Sequence, residues 1–446
     1  MLSNRDTICA VATPPGHGGI GVVRMSGPKA REILEKIWQG KMEPHRFESH
    51  KLYLGDVTSI DRAMVAWMQA PHSYTGDDVV EISSHGSPLI LKKIVEACIT
   101  AGARLAEPGE FTRRAFLAGK LDLVQAEAVA DLINSTSEAS ARAAQDQLAG
   151  RLSQEVHILH EELLGLRTLV EATLDFPEED IDTIGQEKIA ERLGAVRARM
   201  ERLAATFLQG RLIRDGVRVA IVGRPNVGKS SLLNRLAGSE RAIVHATPGT
   251  TRDIVEVTVT IEGVAFHLAD TAGLRDGEHE VERMGIARAR DAMAHADLLV
   301  VVVDGSEDLI TEDHVLLDQT ASRARIVCVN KCDLTKRKQL PLGHAVSVSA
   351  LTGAGINDLC AALAKMVTVT PQEGSGAIMT NLRHKEALDA AIHELQSASA
   401  VLDHRDSTEL MAHHLRTAQE ALGKITGTVT DDDLLNRIFS NFCIGK

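Results

Sequence analysis

The sequence predicts a multidomain α/β protein with three parts: an N-terminal α+β domain, an α-helical bundle, and a doubly wound α/β domain inserted into the bundle. Three observations favour this organisation. Short apolar runs alternate with helical patterns up to about residue 117, and regular apolar stripes occupy two separate stretches of the chain. Between those stretches, from residue 216 to about residue 367, strand and helix patterns alternate, which is typical of a doubly wound sheet.

The N-terminal region combines strand and helix signals. Five short apolar segments predict strands: "TICAVAT", "GIGVVRMS", "KLYLGDV", "AMVAWMQA" and "DVVEISSH". Two longer segments predict helices, "PKAREILEKIW" and "LILKKIVEACITAG", and the first has a proline near its start, where proline is tolerated. We therefore expect an α+β domain.

The helical regions carry apolar residues at alternating spacings of four and three. Before the insert we expect two helices with the stripes Leu152, Val156, Leu159, Leu163, Leu166, Val170 and Ile189, Leu193, Val196, Met200, Leu203. After the insert the stripes are Leu388, Ile392, Leu395, Ser399, Leu402, with the small Ser399 in the fourth place, and Met411, Leu415, Ala418, Leu422, Ile425. Such stripes bury one face of a long helix in a bundle. We place the domains at residues 1–118, 119–215, 216–370 and 371–446, with one bundle built from both sides of the insert.

Composition limits the possible classes of protein. The 446 residues are only 3% aromatic, so the cores depend on Leu, Val, Ile and Ala. The net charge of −12 argues against nucleic acid as a default partner, because an acidic chain gains little from counterion release. No apolar run is long enough for a bilayer and no signal-peptide pattern opens the sequence, so we expect a cytoplasmic protein with no membrane partner.

The cysteines form no Cys-Xaa-Xaa-Cys pair, and reduced thiols are the simplest interpretation. They are Cys9, Cys98, Cys328, Cys332, Cys360 and Cys443.

A Gly-Xaa4-Gly-Lys-Ser motif at Gly223–Ser230 joins the predicted strand "VRVAIVG" to the predicted helix "KSSLLNRLAG". This context indicates a P-loop, whose backbone N–H groups bind phosphates at a helix N-terminus. Lys229 should reach the β- and γ-phosphates, and the Ser230 hydroxyl should bind Mg²⁺. The alternative is a glycine-rich turn that binds nothing.

Three further motifs follow in the order expected for a GTPase. "TPGTTRD" supplies Thr251 as a second Mg²⁺ ligand, and "DTAG" supplies Asp270 and the Gly273 N–H that would sense the γ-phosphate. "NKCD" ends in Asp333, whose carboxylate can accept two N–H bonds from guanine but not from adenine. "SVSALTG" adds backbone contacts to guanine O6 from Ser349 and Ala350. The ordered set predicts GTP as the nucleotide.

The predicted nucleotide-binding residues are Asn226, Val227, Gly228, Lys229, Ser230, Ser231, His245, Ala246, Thr247, Pro248, Gly249, Thr250, Thr251, Asp270, Thr271, Ala272, Gly273, Asn330, Lys331, Asp333, Ser349, Ala350 and Leu351. Lys229, Gly273 and Glu282 are the predicted catalytic residues.

The position after "DTAG" holds Leu274, where Ras-like enzymes have a glutamine that orients the attacking water. Glu282 is the candidate replacement, because a carboxylate can orient a water directly or through a second water. The alternative is that Glu278, Glu280 and Glu282 form a solvated helix start, where acidic residues favour the helix dipole. Arg252 and Arg275 are weaker candidates for arginine fingers.

Several segments together resemble the MnmE family of bacterial tRNA modification GTPases, also called TrmE. They are "DTICAVATPPGHGGIGVVRMSGPKA", "PGEFTRRAFLAGKLDLVQAEAVADLI", "GRPNVGKSSLLN", "PGTTRD", "HEVERMGI" and the terminal "FSNFCIGK". The resemblance implies an N-terminal domain that dimerises and binds 5-formyl-tetrahydrofolate or a related folate. It also implies a heterotetramer with the FAD-dependent protein MnmG. Together these proteins add a carboxymethylaminomethyl or aminomethyl group at C5 of the wobble uridine of certain tRNAs.

Residue roles implied by the resemblance follow the matching motifs. The folate site would include Arg24, Glu81, Lys120 and Lys446, with Cys443 as a candidate for the modification chemistry. For each charge the alternative is an ordinary surface or interface charge, and Cys443 could be a small apolar filler.

Glu282 would be the water-orienting residue of the family. The K⁺ ligands would be Asn226, His245, Thr247 and Thr250. His245 stands where the family usually has threonine, which is harmless if that position binds through its carbonyl.

Two other classes of function are weighed against this one. A ribosome-assembly GTPase of the Era or Der type would share the α/β domain, but we find no KH-like region and no second P-loop motif. A mechanical or scaffolding GTPase would use its helices only to transmit motion, and folate binding by the N-terminal domain would distinguish the two.

Overall fold

The computed structural model describes residues 6–175, 183–238, 256–270, 292–334, 345–367, 376–402 and 408–446. The chain forms two compact units. The first contains Met1–Ala130, Gln147–Val196 and Ala390–Lys446, and the second contains Asp131–Asp146 and Arg197–Asp389. The boundary at Val196 lies inside a helix, so the units do not coincide with the predicted domains, whose boundaries stay predictions.

The first unit contains a seven-stranded sheet in the order β3-β4-β5-β6-β2-β1-β7. Its strands are β1 (Ile8–Val11), β2 (Gly18–Ser26), β3 (Trp38–Gly40), β4 (Leu52–Val57), β5 (Asp61–Met68), β6 (Val79–Gly86) and β7 (Arg104–Leu105). Neighbouring strands are antiparallel except β1 and β7. Helices α1 (Ala30–Ile37) and α2 (Pro88–Ala101) pack on this sheet through a shared apolar core. The five predicted strands and both predicted helices are confirmed.

Trp38 differs from its predicted position in the first helix. Its backbone is extended, with φ −94° and ψ 137°, and it opens β3. The indole N–H donates to the Met42 carbonyl at 2.9 Å, and the ring meets Phe47 edge to face. Tertiary packing of a large side chain therefore ends the helix one residue earlier than the apolar pattern indicates.

The helices outside the two sheets are α3 (Glu110–Leu117), α4 (Leu123–Asn134), α5 (Glu138–Leu148), α6 (Arg151–Asp175), α7 (Thr183–Ala205), α12 (Leu382–Ala400), α13 (Thr408–Thr426) and α14 (Asp432–Phe439). Every residue of the predicted stripes on α6, α7 and α13 is buried. Helix α6 precedes the insert and α13 follows it, yet the two pack together, with Arg167 Nη1 donating to Gln419 Oε1 at 2.6 Å. A bundle built from both sides of the insert is confirmed.

The stripe on α12 was partly wrong. Ser399 is exposed, and Ala398 is buried in the fourth place instead. Leu402 lies beyond the helix end at Ala400. Ala391 is also buried, so the buried face of this helix alternates leucine and alanine at a 3-4-3 spacing, as Leu388, Ala391, Leu395 and Ala398, and the predicted stripe did not include the two alanines.

The second unit contains a six-stranded sheet in the order β13-β12-β11-β8-β10-β9. Its strands are β8 (Val217–Val222), β9 (Glu256–Ile261), β10 (Val264–Asp270), β11 (Leu298–Asp304), β12 (Arg325–Asn330) and β13 (Val346–Ser347). All neighbours are parallel except β9 and β10. Its helices are α8 (Phe207–Asp215), α9 (Lys229–Ala237), α10 (Thr311–Gln319) and α11 (Ile356–Val367).

Alternate residues of the buried strands face opposite sides of this sheet. Ile221 and Val300 share a core with α9 and α11, whereas Val222 and Val301 share a second core with Leu317 of α10. Helices therefore cover both faces, as predicted for a doubly wound domain. The carboxyl ends of β8, β11 and β12 meet at one edge of the sheet, where such domains bind ligands.

Candidate functional site

The P-loop follows β8 and leads into α9, as predicted. Gly228 is the N-terminal cap of α9, with a left-handed φ of 97°. A Cβ at this position would overlap the side-chain nitrogen of Asn330, so the close approach requires glycine. The turn aims the free N–H groups of the helix start at the loop interior, which is the arrangement that binds phosphate.

Lys229 places its ammonium group inside this loop. The side chain is 7% exposed, and Nζ donates to the carbonyl oxygens of Gly223 at 2.8 Å and Arg224 at 2.9 Å. These acceptors are neutral, so the positive charge of the ammonium is not cancelled by them. A phosphate chain bound in the loop would meet that charge, and the residues present therefore fit a nucleotide.

Asn330 connects three segments that are far apart in sequence. Its side-chain nitrogen donates to the Val227 carbonyl of the P-loop at 2.8 Å. Its side-chain oxygen accepts from the Ala350 N–H at 3.0 Å. The predicted P-loop, the "NKCD" motif and the "SVSA" segment are thereby brought together. Ser349 is fully buried, and its N–H donates to the Ala354 carbonyl at 2.9 Å.

Several predicted ligands lie on the open side of this edge. Ser230 and Ser231 on the first turn of α9, Asp333 after β12, and Leu351 are all exposed. Asp270 is the last residue of β10, and its backbone lies opposite Ile221 of β8. A hydroxyl at Ser230 and an acidic residue at the end of β10 provide the oxygen donors that Mg²⁺ prefers.

Lys331 reaches a neighbouring strand. Its backbone is left-handed, with φ 65°, and Nζ lies 2.5 Å from Asp304 Oδ2. Burial by itself would raise the pKa of Asp304, but hydrogen bonds from Lys331 and Ser306 outweigh it and lower that pKa. The Asp304 carboxyl is therefore ionised at neutral pH. Asp304 was not predicted as a site residue, although its place at the carboxyl end of an uninterrupted apolar strand puts it at the edge where such sheets bind ligands.

Several predicted residues lie outside the described part of the chain: His245, Ala246, Thr247, Pro248, Gly249, Thr250, Thr251, Arg252, Thr271, Ala272, Gly273, Leu274, Arg275 and Glu282. Their roles stay predictions. Within the described ranges, no group of three or more His, Cys, Asp or Glu side chains could hold a metal ion. Among the helices in these same ranges, none is long and apolar enough to cross a membrane.

A second group of predicted residues meets in the first unit. Arg24 of β2 lies opposite Glu81 of β6, and its Nε and Nη2 bind Glu81 Oε1 at 2.9 and 2.7 Å. Arg24 Nη1 also donates to the Gly445 carbonyl at 3.4 Å. The guanidinium carbon lies 5.8 Å from the ring centres of both Tyr74 and Phe111. Arginine, glutamate and the C-terminal tail thus form one charged cluster beside aromatic rings.

Lys446 belongs to this cluster electrostatically. Burial lowers the pKa of its ammonium group, the positive charge of Arg24 lowers it further, and Glu81 opposes the change. An anionic ligand would reverse this effect, because it would stabilise the charged form. Cys443 is exposed. Lys120 is also exposed and follows α3.

The C-terminal tail is held by specific contacts. Phe439 and Phe442 pack with Leu123 in one apolar cluster, and the Gly109 N–H donates to the Cys443 carbonyl at 3.5 Å. Gly445 has φ 97°, and a Cβ there would overlap the Val11 carbonyl. The last residues therefore run against the end of β1, within reach of Arg24.

An ionic network that is buried at Glu110 and Arg114 and partly exposed at Arg104 and Asp6 supports the neighbouring helix α3, and it was not predicted from the sequence. Arg104 Nη2 binds Glu110 Oε1 at 2.7 Å, and Arg114 Nη2 binds the same atom at 2.9 Å. Asp6 accepts from both arginines at 2.8 and 2.6 Å. Burial favours a raised pKa for Glu110, but the two arginines lower it. The quoted segment "PGEFTRRAF" contains two of these residues at a helical spacing of four.

Family models match nearly all of the chain in two parts. The model described as GTP-binding protein TrmE N-terminus matches residues 7–120. The model described as MnmE helical domain matches residues 123–443.

Full-length relatives agree with these models. A tRNA modification GTPase MnmE from Nitrosospira multiformis is 45% identical over 455 residues, which covers 100% of both chains. A protein of the same name from Nitrosomonas europaea is 45% identical over 452 residues, again with 100% coverage of both.

Among solved structures, Aquifex aeolicus Era bound to GDP and aluminium fluoride is 27% identical. It covers 40% of this chain and 65% of its own, with a TM-score of 0.28. The full-length relatives favour the family over the Era or Der alternative, because their similarity extends through the N-terminal and helical regions. The chain belongs to the MnmE family of tRNA modification GTPases, also called TrmE.

Proposed function

We propose that this chain hydrolyses GTP and, with the FAD-dependent protein MnmG, modifies C5 of the wobble uridine of certain tRNAs. The observation that carries the proposal is the presence of two assembled sites on one chain of this family. One is the P-loop joined to the "NKCD" motif through Asn330. The other is the charged cluster at Arg24, Glu81 and the C-terminal tail.

In the nucleotide site, Lys229 and the N-terminal N–H groups of α9 bind the phosphates. Ser230 and Thr251 would hold Mg²⁺ directly, and Asp270 would hold it through a water molecule. Asp333 selects guanine, with backbone contacts from Ser349 and Ala350. The bound metal neutralises charge that develops on the phosphates. Glu282 orients the attacking water in the position that Leu274 cannot fill.

K⁺ at Asn226, His245, Thr247 and Thr250 completes the charge stabilisation. Asn226 supports this proposal, because it is exposed at the P-loop and has a left-handed φ of 64°. This conformation is uncommon outside glycine but is tolerated by asparagine. In this role Asn226 would direct its side-chain oxygen toward the phosphates. The alternative role is a local hydrogen bond to the loop backbone.

The charged cluster binds 5-formyl-tetrahydrofolate or a related folate. Folates combine carboxylates with a flat ring that carries N–H donors. Arg24, Lys446 and Lys120 supply cations for the carboxylates, Glu81 is an acceptor for ring N–H groups, and the rings of Tyr74 and Phe111 lie beside Arg24. Cys443 is the candidate for the modification chemistry, and the hydrogen bond from the Gly109 N–H to its carbonyl supports this by holding the backbone of the tail at this residue.

The outer face of the first sheet supports a homodimer. Leu52, Leu54 and Met64 on β4 and β5 are 62%, 57% and 43% exposed, and Leu54 lies opposite Met64. Ala66 on the same face of β5 lies opposite Glu81, so this apolar patch adjoins the charged cluster. The proposed assembly is this homodimer bound to MnmG and acting on tRNA in the cytoplasm.

Guanine selection by Asp333 is tested by the change Asp333→Asn. Binding of GTP should weaken and binding of xanthosine triphosphate should strengthen, because an amide donates where xanthine offers a carbonyl. Isothermal titration with both nucleotides measures the exchange. Glu312→Gln on exposed α10 is the control for loss of one negative charge. Unchanged affinity for both nucleotides in Asp333→Asn would contradict the assignment.

A further inference from the structure

We propose that Asp304 is a positioning residue for guanine-nucleotide binding, which acts by holding the ammonium group of Lys331. This inference rests on the proposed function, since it assumes that the "NKCD" motif binds the guanine base. The motif assigns Lys331 to nucleotide binding but gives no role to Asp304, which is the last residue of a different strand, β11.

The carboxylate of Asp304 is fixed on both oxygens. Oδ2 binds Lys331 Nζ at 2.5 Å, whereas Oδ1 accepts from the Ser306 N–H at 2.9 Å and the Ser306 hydroxyl at 2.6 Å. The residue is 5% exposed. Neutral donors from Ser306 therefore fix the orientation of the carboxylate at Oδ1, and Oδ2 binds the ammonium group of Lys331.

Backbone contacts also join the Asp304–Ser306 turn to the "NKCD" motif, which binds the guanine base in the proposed function. Asp304 lies opposite Asn330 in the parallel pair of β11 and β12, and the Gly305 N–H donates to the Asn330 carbonyl at 2.8 Å. A Cβ on Gly305 would lie 2.8 Å from that carbonyl oxygen, so another residue would push the two loops apart. These contacts hold the Asp304–Ser306 turn against the segment that contains Lys331.

Lys331 needs such support. A left-handed conformation is unfavourable for an L-residue, and such strain persists only where surrounding structure holds it. With its ammonium bound to Asp304, the methylene stem of Lys331 is restrained at both ends. Without that partner the side chain would regain rotamer freedom that nucleotide binding must then remove.

The same loop also reaches the P-loop, but through a weaker contact. Arg224 Nη2 binds Glu307 Oε2 at 2.7 Å, and the Glu307 side chain is 59% exposed. Exposed pairs contribute little to stability, so the buried Asp304–Lys331 pair is the one that we expect to matter. The Asp304–Lys331 pair lies at the "NKCD" motif, which binds the base in the proposed function, so the effect of breaking it should be equal for GDP and GTP.

The first experiment compares wild type with Asp304→Asn. Affinity for GDP and for a non-hydrolysable GTP analogue should fall roughly tenfold to a hundredfold, the range expected for a charge-assisted hydrogen bond. In steady-state hydrolysis KM should rise while kcat at saturating GTP stays unchanged. Glu312→Gln is the matched control for charge. A fall in kcat with constant KM would overturn the positioning role.

A double-mutant cycle with Lys331→Met separates positioning from general stabilisation. Methionine keeps an apolar stem but removes the ammonium group, so Lys331→Met should weaken both nucleotides by the same factor as Asp304→Asn. Adding Asp304→Asn to Lys331→Met should cause no further loss. An equal additional loss in that background would overturn the proposal.

Thermal unfolding without nucleotide shows whether each variant folds. If Asp304→Asn does not fold, the proposal is tested with Lys331→Met alone. Wild-type affinity of Lys331→Met for both nucleotides would overturn the proposal. Failure of the wild-type chain to bind either nucleotide would instead contradict the proposed function.

Discussion

The nucleotide site and the charged cluster are built in different ways. In the nucleotide site, short motifs at the carboxyl ends of neighbouring parallel strands are joined by one amide, Asn330. In the charged cluster, Arg24 and Glu81 come from antiparallel strands and meet a C-terminal tail that lies more than four hundred residues after Arg24 in the chain. A local motif therefore suffices to recognise the first site, whereas only the folded chain assembles the second.

The charges differ as well. Lys229 donates to the neutral carbonyl oxygens of Gly223 and Arg224, which do not cancel its positive charge. Arg24 is held by the carboxylate of Glu81, and Lys446 lies close enough for the charge of Arg24 to lower its pKa. The first arrangement suits a highly charged anion. The second suits a ligand that carries both anionic groups and hydrogen-bond donors, such as a folate.

The largest effect that would separate the sites is expected for Glu282→Ala. GTP affinity should stay near wild type, and the single-turnover rate of hydrolysis should fall about 10²–10³-fold, as when one oriented catalytic contact is lost. Folate binding should be unaffected. A wild-type rate in this variant would remove Glu282 from the mechanism and leave water positioning to another group.

Deletion of Cys443–Lys446 should affect the two sites in the opposite sense. It removes Lys446 and the Gly445 carbonyl that Arg24 contacts, so folate affinity should fall roughly a hundredfold while GTP hydrolysis is largely retained. Equilibrium binding of 5-formyl-tetrahydrofolate measures this loss. Retention of folate affinity would show that the tail is only structural.

Gly445→Ala is a milder version of the same test. The left-handed backbone should cost alanine about 1–2 kcal/mol, and the added Cβ would overlap the Val11 carbonyl. We expect roughly tenfold weaker folate binding, again measured at equilibrium. Ile444→Ala, at an exposed neighbouring position, is the control, and equal effects of the two changes would contradict the role of tail geometry.

The smallest effect concerns the monovalent cation. Replacement of K⁺ by Na⁺ at constant ionic strength should slow GTP hydrolysis about tenfold, less than the loss of a whole oriented contact, because Na⁺ carries the same charge and only its fit to the ligands differs. Asn226→Ala should be slow in both salts, because its cation ligand is missing. Equal wild-type rates in the two salts would contradict K⁺ activation, and an undiminished K⁺ effect in Asn226→Ala would place the cation elsewhere.

The sequence predicted the elements more completely than their contacts. Regular apolar spacing was sufficient to predict α6, α7 and α13, because each of these helices buries every residue of its predicted stripe. The same spacing misplaced Trp38, whose side-chain contacts end α1 one residue earlier than predicted. It also misplaced Ser399, which is exposed because Ala398 takes the buried position instead.

Residues of the nucleotide site were predictable where a motif carried them. The pairing of Asp304 with Lys331 and of Arg104 with Glu110 was not predicted, because ion pairs between separate elements leave no periodic signal. Glu110 and Arg114 do stand four residues apart on one helix, but that spacing does not reveal their partners on other elements. Arg24 and Glu81 were identified by resemblance alone, and the register between β2 and β6 explains why they meet.

The central claim is that both sites serve one reaction on tRNA. Nucleoside analysis of tRNA by mass spectrometry tests it most directly, in cells that lack this chain and are complemented with defined variants. The wild-type chain should restore the carboxymethylaminomethyl or aminomethyl group on the wobble uridine, whereas Glu282→Ala and the chain without Cys443–Lys446 should not. Normal modification in the uncomplemented cells, or restoration by both variants, would contradict the account.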